Sequence, residues 1–135
     1  MKKIITFLLI ISFYSCTSTD DGNHILPNIP VNETVYLNLH NALQHTGGSS
    51  TISGGISGII IYNIDNTRYI AWDAACPHLA PNKCTAMTLE GLLMVCSCDK
   101  SKFSILDGSP QSGTKYAARQ YRVVKDGNTL LITNF

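Results

Sequence analysis

Two stretches of sequence decide the fold: residues 71–78 read AWDAACPH, and residues 92–99 read LLMVCSCD. Each begins with an apolar segment of the kind that forms a buried strand. Each ends in side chains that bind metals or form disulfides. Seventeen residues lie between His78 and Cys96. We therefore expect a β domain in which these side chains follow two different strands.

From Val35 onward the rest of the chain also follows the two-residue period of β-strands. Turn signals such as Asp107-Gly108 and Asp126-Gly127-Asn128 separate the apolar segments. This pattern indicates a small all-β antiparallel domain. The predicted strands are residues 34–39, 59–62, 68–72, 92–95, 103–105, 121–125 and 129–133. The other predicted features are one helical turn at 41–44 and a glycine-rich loop or bulged strand within 47–58.

The N-terminus has the pattern of an export signal. Lys2 and Lys3 precede an apolar run, residues 4–14, about half the roughly 20 residues that a membrane-spanning helix needs. The run ends at Ser15-Cys16, and a small residue before a cysteine at this distance resembles a bacterial lipoprotein signal. We expect residues 1–15 to be removed and lipidated Cys16 to anchor the protein to a membrane of the bacterial cell envelope. An ordinary secreted protein is the alternative.

The remaining chain is predicted to hold a flexible tether, residues 16–32, and one domain, residues 33–135. Removal of residues 1–15 lowers Lys+Arg from 10 to 8 against 9 Asp+Glu, so the formal charge changes from +1 to −1. The sequence contains no basic run or stripe. Nucleic acid is therefore not an expected partner.

Cysteine arithmetic leaves two possibilities open. Of five cysteines, lipidation of Cys16 leaves four, namely Cys76, Cys84, Cys96 and Cys98. Exported compartments are oxidising, so a cysteine pair that holds no metal is expected to form a disulfide. An even number suits either a metal centre with one disulfide or two disulfides, and spacing alone does not choose between them.

Residues 33–135 resemble the Rieske iron–sulfur family. In that family a Cys-x-His loop and a Cys-x-x-His loop hold a [2Fe–2S] cluster, with two cysteines on one iron and two histidines on the other. Cys76, His78 and Cys96 match three of these ligands, and Asp99 stands in the place of the last histidine. The order of the flanking segments also matches, including Ser101-Lys102-Phe103, Asp107-Gly108 and Gly113.

The resemblance implies three small antiparallel sheets, with the two cluster loops at one tip. It also implies a disulfide between Cys84 and Cys98, which match the extra cysteine that many members carry in each loop. Cys84 lies eight residues after Cys76 rather than the usual five. Such a bridge would close a loop of about 15 residues, which is worth roughly 3 kcal/mol in the chain-entropy treatment.

The function that the resemblance implies is electron transfer to a separate redox protein, through an altered cluster held by Cys76, His78, Cys96 and Asp99. A carboxylate in place of a neutral imidazole adds negative charge beside the iron and is expected to lower the potential of the cluster. Catalysis on a substrate by this chain alone is not expected, since no Ser/His/Asp set or carboxylate pair supports hydrolysis.

Two alternatives use the same residues. In the first, the fold is kept without a cluster, Cys76–Cys96 and Cys84–Cys98 form two disulfides, and the lipoprotein has a binding or structural role. In the second, Cys76, His78, Cys96 and Cys98 form a zinc site, with Cys84 as a substitute. Whether Cys76 and Cys96 are thiolates or oxidised discriminates between the cluster and the first alternative.

Overall fold

A computed structural model describes residues 25–82 and 86–135 of the chain. Within these residues the backbone forms short β-strands, together with two 3-10 helices, Leu37–Leu39 and Asn41–Gln44. In chain order the strands are β1 Asn32–Tyr36, β2 Ser49–Ile52, β3 Ile59–Asn63, β4 Tyr69–Asp73, β5 Met87–Glu90, β6 Leu93–Cys96, β7 Lys102–Ser104, β8 Pro110–Ser112, β9 Gln120–Asp126 and β10 Thr129–Thr133.

The strands form a six-stranded sheet of order β1-β10-β9-β4-β3-β2 and a four-stranded sheet of order β5-β6-β7-β8. Every pairing is antiparallel. The larger sheet consists of two three-stranded halves, which join where β4 pairs with β9 over two positions, Ala71 with Tyr121 and Trp72 with Gln120. The prediction of a small antiparallel all-β domain with three small sheets is therefore confirmed, with two of the three continuous through β9.

Strand β3 separates two hydrophobic cores. Its apolar run has no polar alternation because both faces are covered, as expected for a strand at the centre of a domain. Ile59 and Ile61 pack into one core with β1, β9 and β10. Ile60 and Tyr62 pack into the other, which extends to the four-stranded sheet. Each buried isoleucine contributes about 1.5–3 kcal/mol through loss of exposed apolar surface.

The second core is the platform on which the two loops rest. It contains Met94 and Phe103 from the four-stranded sheet together with Cys76 and Cys96, all fully or almost fully buried. Trp72 closes one side of this core, and its indole N–H donates to the carbonyl of Ile105 at 2.8 Å. The cysteines that the sequence singled out are thus part of a packed core rather than of a mobile surface loop.

Most predicted strands are present, and the differences have local reasons. The first strand ends at Tyr36, because residues 37–39 turn into a 3-10 helix that buries Leu37. The helical turn predicted at 41–44 is confirmed as the second 3-10 helix. Strand β2 lies within the stretch 47–58, which was predicted as a glycine-rich loop or a bulged strand. Strands β5 and β8 were not predicted, since each is three or four residues long and carries too few buried apolar residues for a clear two-residue period.

The domain begins earlier than the predicted tether allows. Leu26 and Val31 are buried, and the carbonyls of Leu26 and Pro27 both accept hydrogen bonds from the Arg119 guanidinium. The Asn134 side chain accepts a hydrogen bond from the Val31 N–H at 2.6 Å. The segment is non-periodic and rich in proline, so its sequence gives no sign of this packing.

The predicted signal segment, residues 1–15, and the predicted lipidation site Cys16 lie outside the described residues. Within residues 25–82 and 86–135, the structure contains no helix of the length and apolar character that crossing a membrane requires.

Candidate functional site

The two loops of the sequence pattern lie side by side at one end of the four-stranded sheet, and we call this region the tip. The first loop leaves β4 after Asp73 and returns through Ala86 into β5. The second is the turn from Cys96 to Ser101 that joins β6 to β7. The Ser97 hydroxyl on the second loop donates to the carbonyl of Ala86 on the first at 2.9 Å. The topology therefore places both predicted motifs in one region.

The second loop is a tight turn closed by the backbone. The Cys96 N–H donates to the carbonyl of Ser101 at 2.8 Å, and the Lys100 N–H donates to the carbonyl of Cys96 at 3.0 Å. Lys100 lies in the left-handed region at φ +63°, where glycine is the unstrained residue. Gly113 packs so close to the turn that a Cβ there would overlap the Ser101 side chain. The turn is thus held by its own backbone hydrogen bonds and by the packing of Gly113 against Ser101.

Cys76 and Cys96 are joined by a disulfide. Both residues are completely shielded from solvent. The sequence predicted these two residues either as metal ligands or as a disulfide pair, and the structure brings them together in the second state. In this state neither sulfur is a thiolate, and a thiolate is the form that binds a metal.

His78 and Asp99 face each other across the two loops. The Nε2 atom of His78 lies 2.6 Å from the Oδ2 atom of Asp99. The Ser101 backbone N–H donates to the other carboxylate oxygen, Oδ1, at 3.0 Å. The hydrogen bond from His78, followed by that from Ser101, lowers the pKa of Asp99 to about 2. Asp99 is therefore a carboxylate over the whole range in which the protein is expected to work.

The other ring nitrogen of His78, Nδ1, is buried and has no hydrogen-bond partner among the described residues. A buried polar atom without a partner is uncommon in folded proteins and calls for a physical reason, such as an ion that the site is built to bind. The ring as a whole is largely covered, with 10 % of its side-chain surface exposed. The Nε2 atom of His78 therefore faces the Asp99 carboxylate, and the Nδ1 atom is buried.

Of the second predicted disulfide, Cys84–Cys98, the structure describes only Cys98. Cys98 is disulfide-bonded. Cys84, its predicted partner, lies outside the described residues. The Cys84–Cys98 pairing therefore stays a prediction.

Asp73 supports the first loop, a role that its place in the sequence does not reveal. Its carboxylate is fully buried and accepts hydrogen bonds from the backbone N–H groups of Ile56 at 2.6 Å and Ala75 at 2.7 Å. It also accepts one from the Tyr121 hydroxyl at 2.6 Å. Burial and this hydrogen bond to a carboxylate raise the pKa of Tyr121. The only sequence signal was a charged residue at the end of an apolar strand.

The side chains at the tip can be compared with what a [2Fe–2S] cluster requires. Two sulfurs and one imidazole nitrogen without a partner are the donor types of three Rieske ligands, and the structure places them on the two loops. The sulfurs must first be reduced. In the disulfide form, the described residues contain no group of three or more His, Cys, Asp or Glu side chains arranged to hold a metal. Once reduced, the tip would offer three of the four donors of a Rieske cluster.

Comparison with solved structures identifies the fold. The chain is similar to the ferredoxin of carbazole 1,9a-dioxygenase from Nocardioides aromaticivorans IC177, with a TM-score of 0.52 and 18% identity over 80% of this chain and 100% of that chain. It is also similar to a chain in the complex of reduced oxygenase and oxidized ferredoxin in carbazole 1,9a-dioxygenase, with a TM-score of 0.53 and 15% identity over 79% and 94% of the two chains.

A third similar structure is the E. coli protein NirD, with a TM-score of 0.51 and 9% identity over 78% of this chain and 98% of that chain. No protein-family model matches the sequence, and no curated protein matches it. At these identities the comparisons establish the fold alone. The chain has the all-β Rieske-like fold of these ferredoxins and of NirD.

Proposed function

We propose that this chain is an exported, lipid-anchored electron-transfer protein of the bacterial cell envelope, and that its working form holds a [2Fe–2S] cluster at the reduced tip. One observation supports this proposal: Cys76, Cys96 and His78 lie on two adjacent loops of a Rieske-like fold, and the buried Nδ1 of His78 has no hydrogen-bond partner in the described part of the chain. Export and lipid anchoring are supported by the residues before the domain, with Cys16 as the lipidated residue.

In the reduced form, the thiolates of Cys76 and Cys96 and the Nδ1 atom of His78 would hold the cluster. When bound, a cluster of this type accepts and releases one electron. The chain itself shields the sulfurs from water and holds the imidazole near the surface, at 10 % exposure, within reach of a partner. Opening the disulfide takes two electrons and two protons from a thiol reductant, and yields the two thiols.

The partner is proposed to be a separate redox protein that docks at the tip. A similar structure, the complex of reduced oxygenase and oxidized ferredoxin in carbazole 1,9a-dioxygenase, supports this proposal, because there a ferredoxin is bound to another protein. No substrate conversion by this chain alone is proposed.

The similar folds do not favour the cluster-free alternative, although the Cys76–Cys96 disulfide is a bond that this alternative requires. In this candidate the stapled form is the working form, and the chain is a cluster-free lipoprotein with a binding or structural role. A metal-free chain exported to an oxidising compartment is expected to form this bond whether or not a loaded form exists. The disulfide is therefore compatible both with the cluster-free lipoprotein and with a protein that holds a cluster when reduced.

Anaerobic reconstitution separates the two candidates. The full domain is reduced with a thiol reductant and incubated with ferrous iron and sulfide, and the visible spectrum and the iron and sulfide contents are measured. The matched control is the double variant Cys76→Ala/Cys96→Ala, which cannot supply the two thiolates. We expect charge-transfer bands with two irons and two sulfides per wild-type chain, and none in the control. A wild-type protein that stays colourless, or that matches the control, would leave the cluster-free lipoprotein as the function.

A further inference from the structure

We infer that Asp99 is a positioning residue rather than a metal ligand. In this arrangement it holds the His78 ring so that Nδ1 faces inward as a proton acceptor. The tip then offers a metal three protein donors, Cys76, Cys96 and His78, and leaves one coordination position without a protein donor. The count of metal donors rests on the proposed function, whereas the orientation of the His78 ring by Asp99 does not.

Both oxygens of the Asp99 carboxylate are already occupied. Oδ2 accepts from His78 Nε2 at 2.6 Å, and Oδ1 accepts from the Ser101 N–H at 3.0 Å. The Ser101 hydroxyl also lies 3.3 Å from Nε2 and adds a weaker contact on the same side of the ring. The two nitrogens of an imidazole point in divergent directions. A carboxylate hydrogen-bonded to Nε2 therefore cannot bind the metal that Nδ1 binds while that hydrogen bond persists.

The position of the ring proton follows from the same contacts. A proton on Nδ1 alone would place a buried donor without an acceptor, and would direct the Nε2 lone pair at a carboxylate oxygen 2.6 Å away. Both arrangements are unfavourable. A proton on Nε2 satisfies the carboxylate and leaves a lone pair on Nδ1. This is the tautomer that a metal-binding nitrogen needs, and a carboxylate on the outer nitrogen is the usual means of fixing it.

The hydrogen-bond part can be tested without any metal. In the oxidised, metal-free domain, nitrogen-15 NMR of the imidazole reports which nitrogen of His78 carries the proton. We expect the proton on Nε2 in the wild type, with slow exchange against solvent. Asp99→Asn keeps an acceptor for Nε2–H and should retain this signal, whereas Asp99→Ala should lose the slow exchange. Asp107→Ala, which removes an exposed carboxylate outside the tip, is the matched control and should resemble the wild type.

A proton on Nδ1 of the wild type, or an unchanged signal in Asp99→Ala, would overturn the positioning role. Either result leaves the proposed electron transfer to be decided by the iron content. Conversely, a colourless protein with the expected NMR signal would contradict the proposed function and keep the positioning role.

The donor count is tested with Co²⁺ as the probe, added to the anaerobically reduced domain. Asp99→Ala should weaken Co²⁺ binding on the order of 10–100-fold while leaving the absorption spectrum of the bound metal unchanged, and Asp99→Asn should recover most of the affinity. His78→Ala removes a donor and should change the spectrum itself. If Asp99→Ala changes the spectrum as His78→Ala does, or if the reduced wild type does not bind Co²⁺, the three-donor assignment is wrong.

Discussion

Two aspartates, Asp73 in the six-stranded sheet and Asp99 at the tip, show how differently the two regions of this molecule are built. Asp73 is fully buried and accepts hydrogen bonds from the Tyr121 hydroxyl and from backbone N–H groups that include Ile56 and Ala75. Asp99 keeps 40 % of its side-chain surface exposed and bonds to one imidazole and one N–H. The first carboxylate fixes backbone, and the second orients a functional side chain.

The same contrast holds for the regions around them. The six-stranded sheet has two apolar faces, and burial of many side chains on both faces stabilises it. The tip holds a disulfide, a lysine at positive φ and a ring nitrogen without a partner among the described residues. Departures from simple folding rules of this kind concentrate at functional sites. The body of the domain therefore serves to hold the tip in place.

The largest effect is expected from the substitution Asp73→Ala. It leaves the buried Tyr121 hydroxyl, the buried Ala75 N–H and the partly buried Ile56 N–H without this acceptor, so the free energy of unfolding should fall by about 3–5 kcal/mol. Tyr121→Phe removes only one donor and should cost about 1 kcal/mol. Urea denaturation with the disulfides intact measures both. A loss below about 1 kcal/mol for Asp73→Ala would show that this carboxylate does not anchor the first loop.

The next largest effect concerns the tip itself. Cys76→Ala/Cys96→Ala removes a bridge between residues 20 apart in sequence, which should lower the free energy of unfolding by about 3 kcal/mol. Strand β10 packs into the core that contains neither cysteine, so amide exchange should accelerate around residues 96–101 before it accelerates in β10. Equal acceleration in β10 and at the tip would contradict the idea that the first core is stable without the bridge.

Alanine substitutions at two glycines compare the tightly packed second core with an open hairpin turn. Gly108 has a φ of +70°, and a Cβ there would overlap the Trp72 ring, whereas Gly127 has a φ of +53° and open space around it. Gly127→Ala should cost about 1–2 kcal/mol from the left-handed backbone alone. Gly108→Ala should cost about 1 kcal/mol more, because the ring must move. Thermal unfolding followed by Trp72 fluorescence checks the order, and equal costs would contradict the packing described for Trp72.

The smallest effect is the pH dependence due to Asp99. Its pKa falls from 3.8 to about 2 on folding, so its contribution to stability is present above pH 4 and is lost as the pH falls through 2. The side chain is 40 % exposed, so solvent screening keeps this contribution below about 1 kcal/mol. The difference in unfolding free energy between the wild type and Asp99→Asn should therefore shrink between pH 6 and pH 2. A difference that stays constant would show that the His78–Asp99 contact has no effect on stability.

The sequence predicted the parts of the fold that rest on strong local signals. The apolar run at 59–62 and the Asp126-Gly127 turn led to the correct hairpins, because burial and turn geometry act over a few residues. It also placed Cys76 with Cys96 and His78 with Asp99 in one region, and the structure brings each pair into contact. Spacing alone did not decide between a metal site and a disulfide, because both need the same proximity.

The remaining features depend on contacts that are distant in sequence. The packing of Leu26 depends on Arg119, which is 93 residues away. The buried role of Asp73 depends on Tyr121, which is 48 residues away. The turn that contains Ser101 places Asp99 beside Nε2 of the His78 ring. No pattern of residue types in the sequence predicts this position.

The most direct test of the proposed electron transfer uses the protein as the cell makes it. Protein is purified anaerobically from the exported compartment, and its visible spectrum, its iron and sulfide contents and its free thiols are measured on one sample. The proposal predicts broad visible bands, two irons and two sulfides per chain, and no bond between Cys76 and Cys96. A colourless, iron-free protein with Cys76 and Cys96 joined as in the structure would contradict it, and would assign the stapled tip to binding rather than to electron transfer.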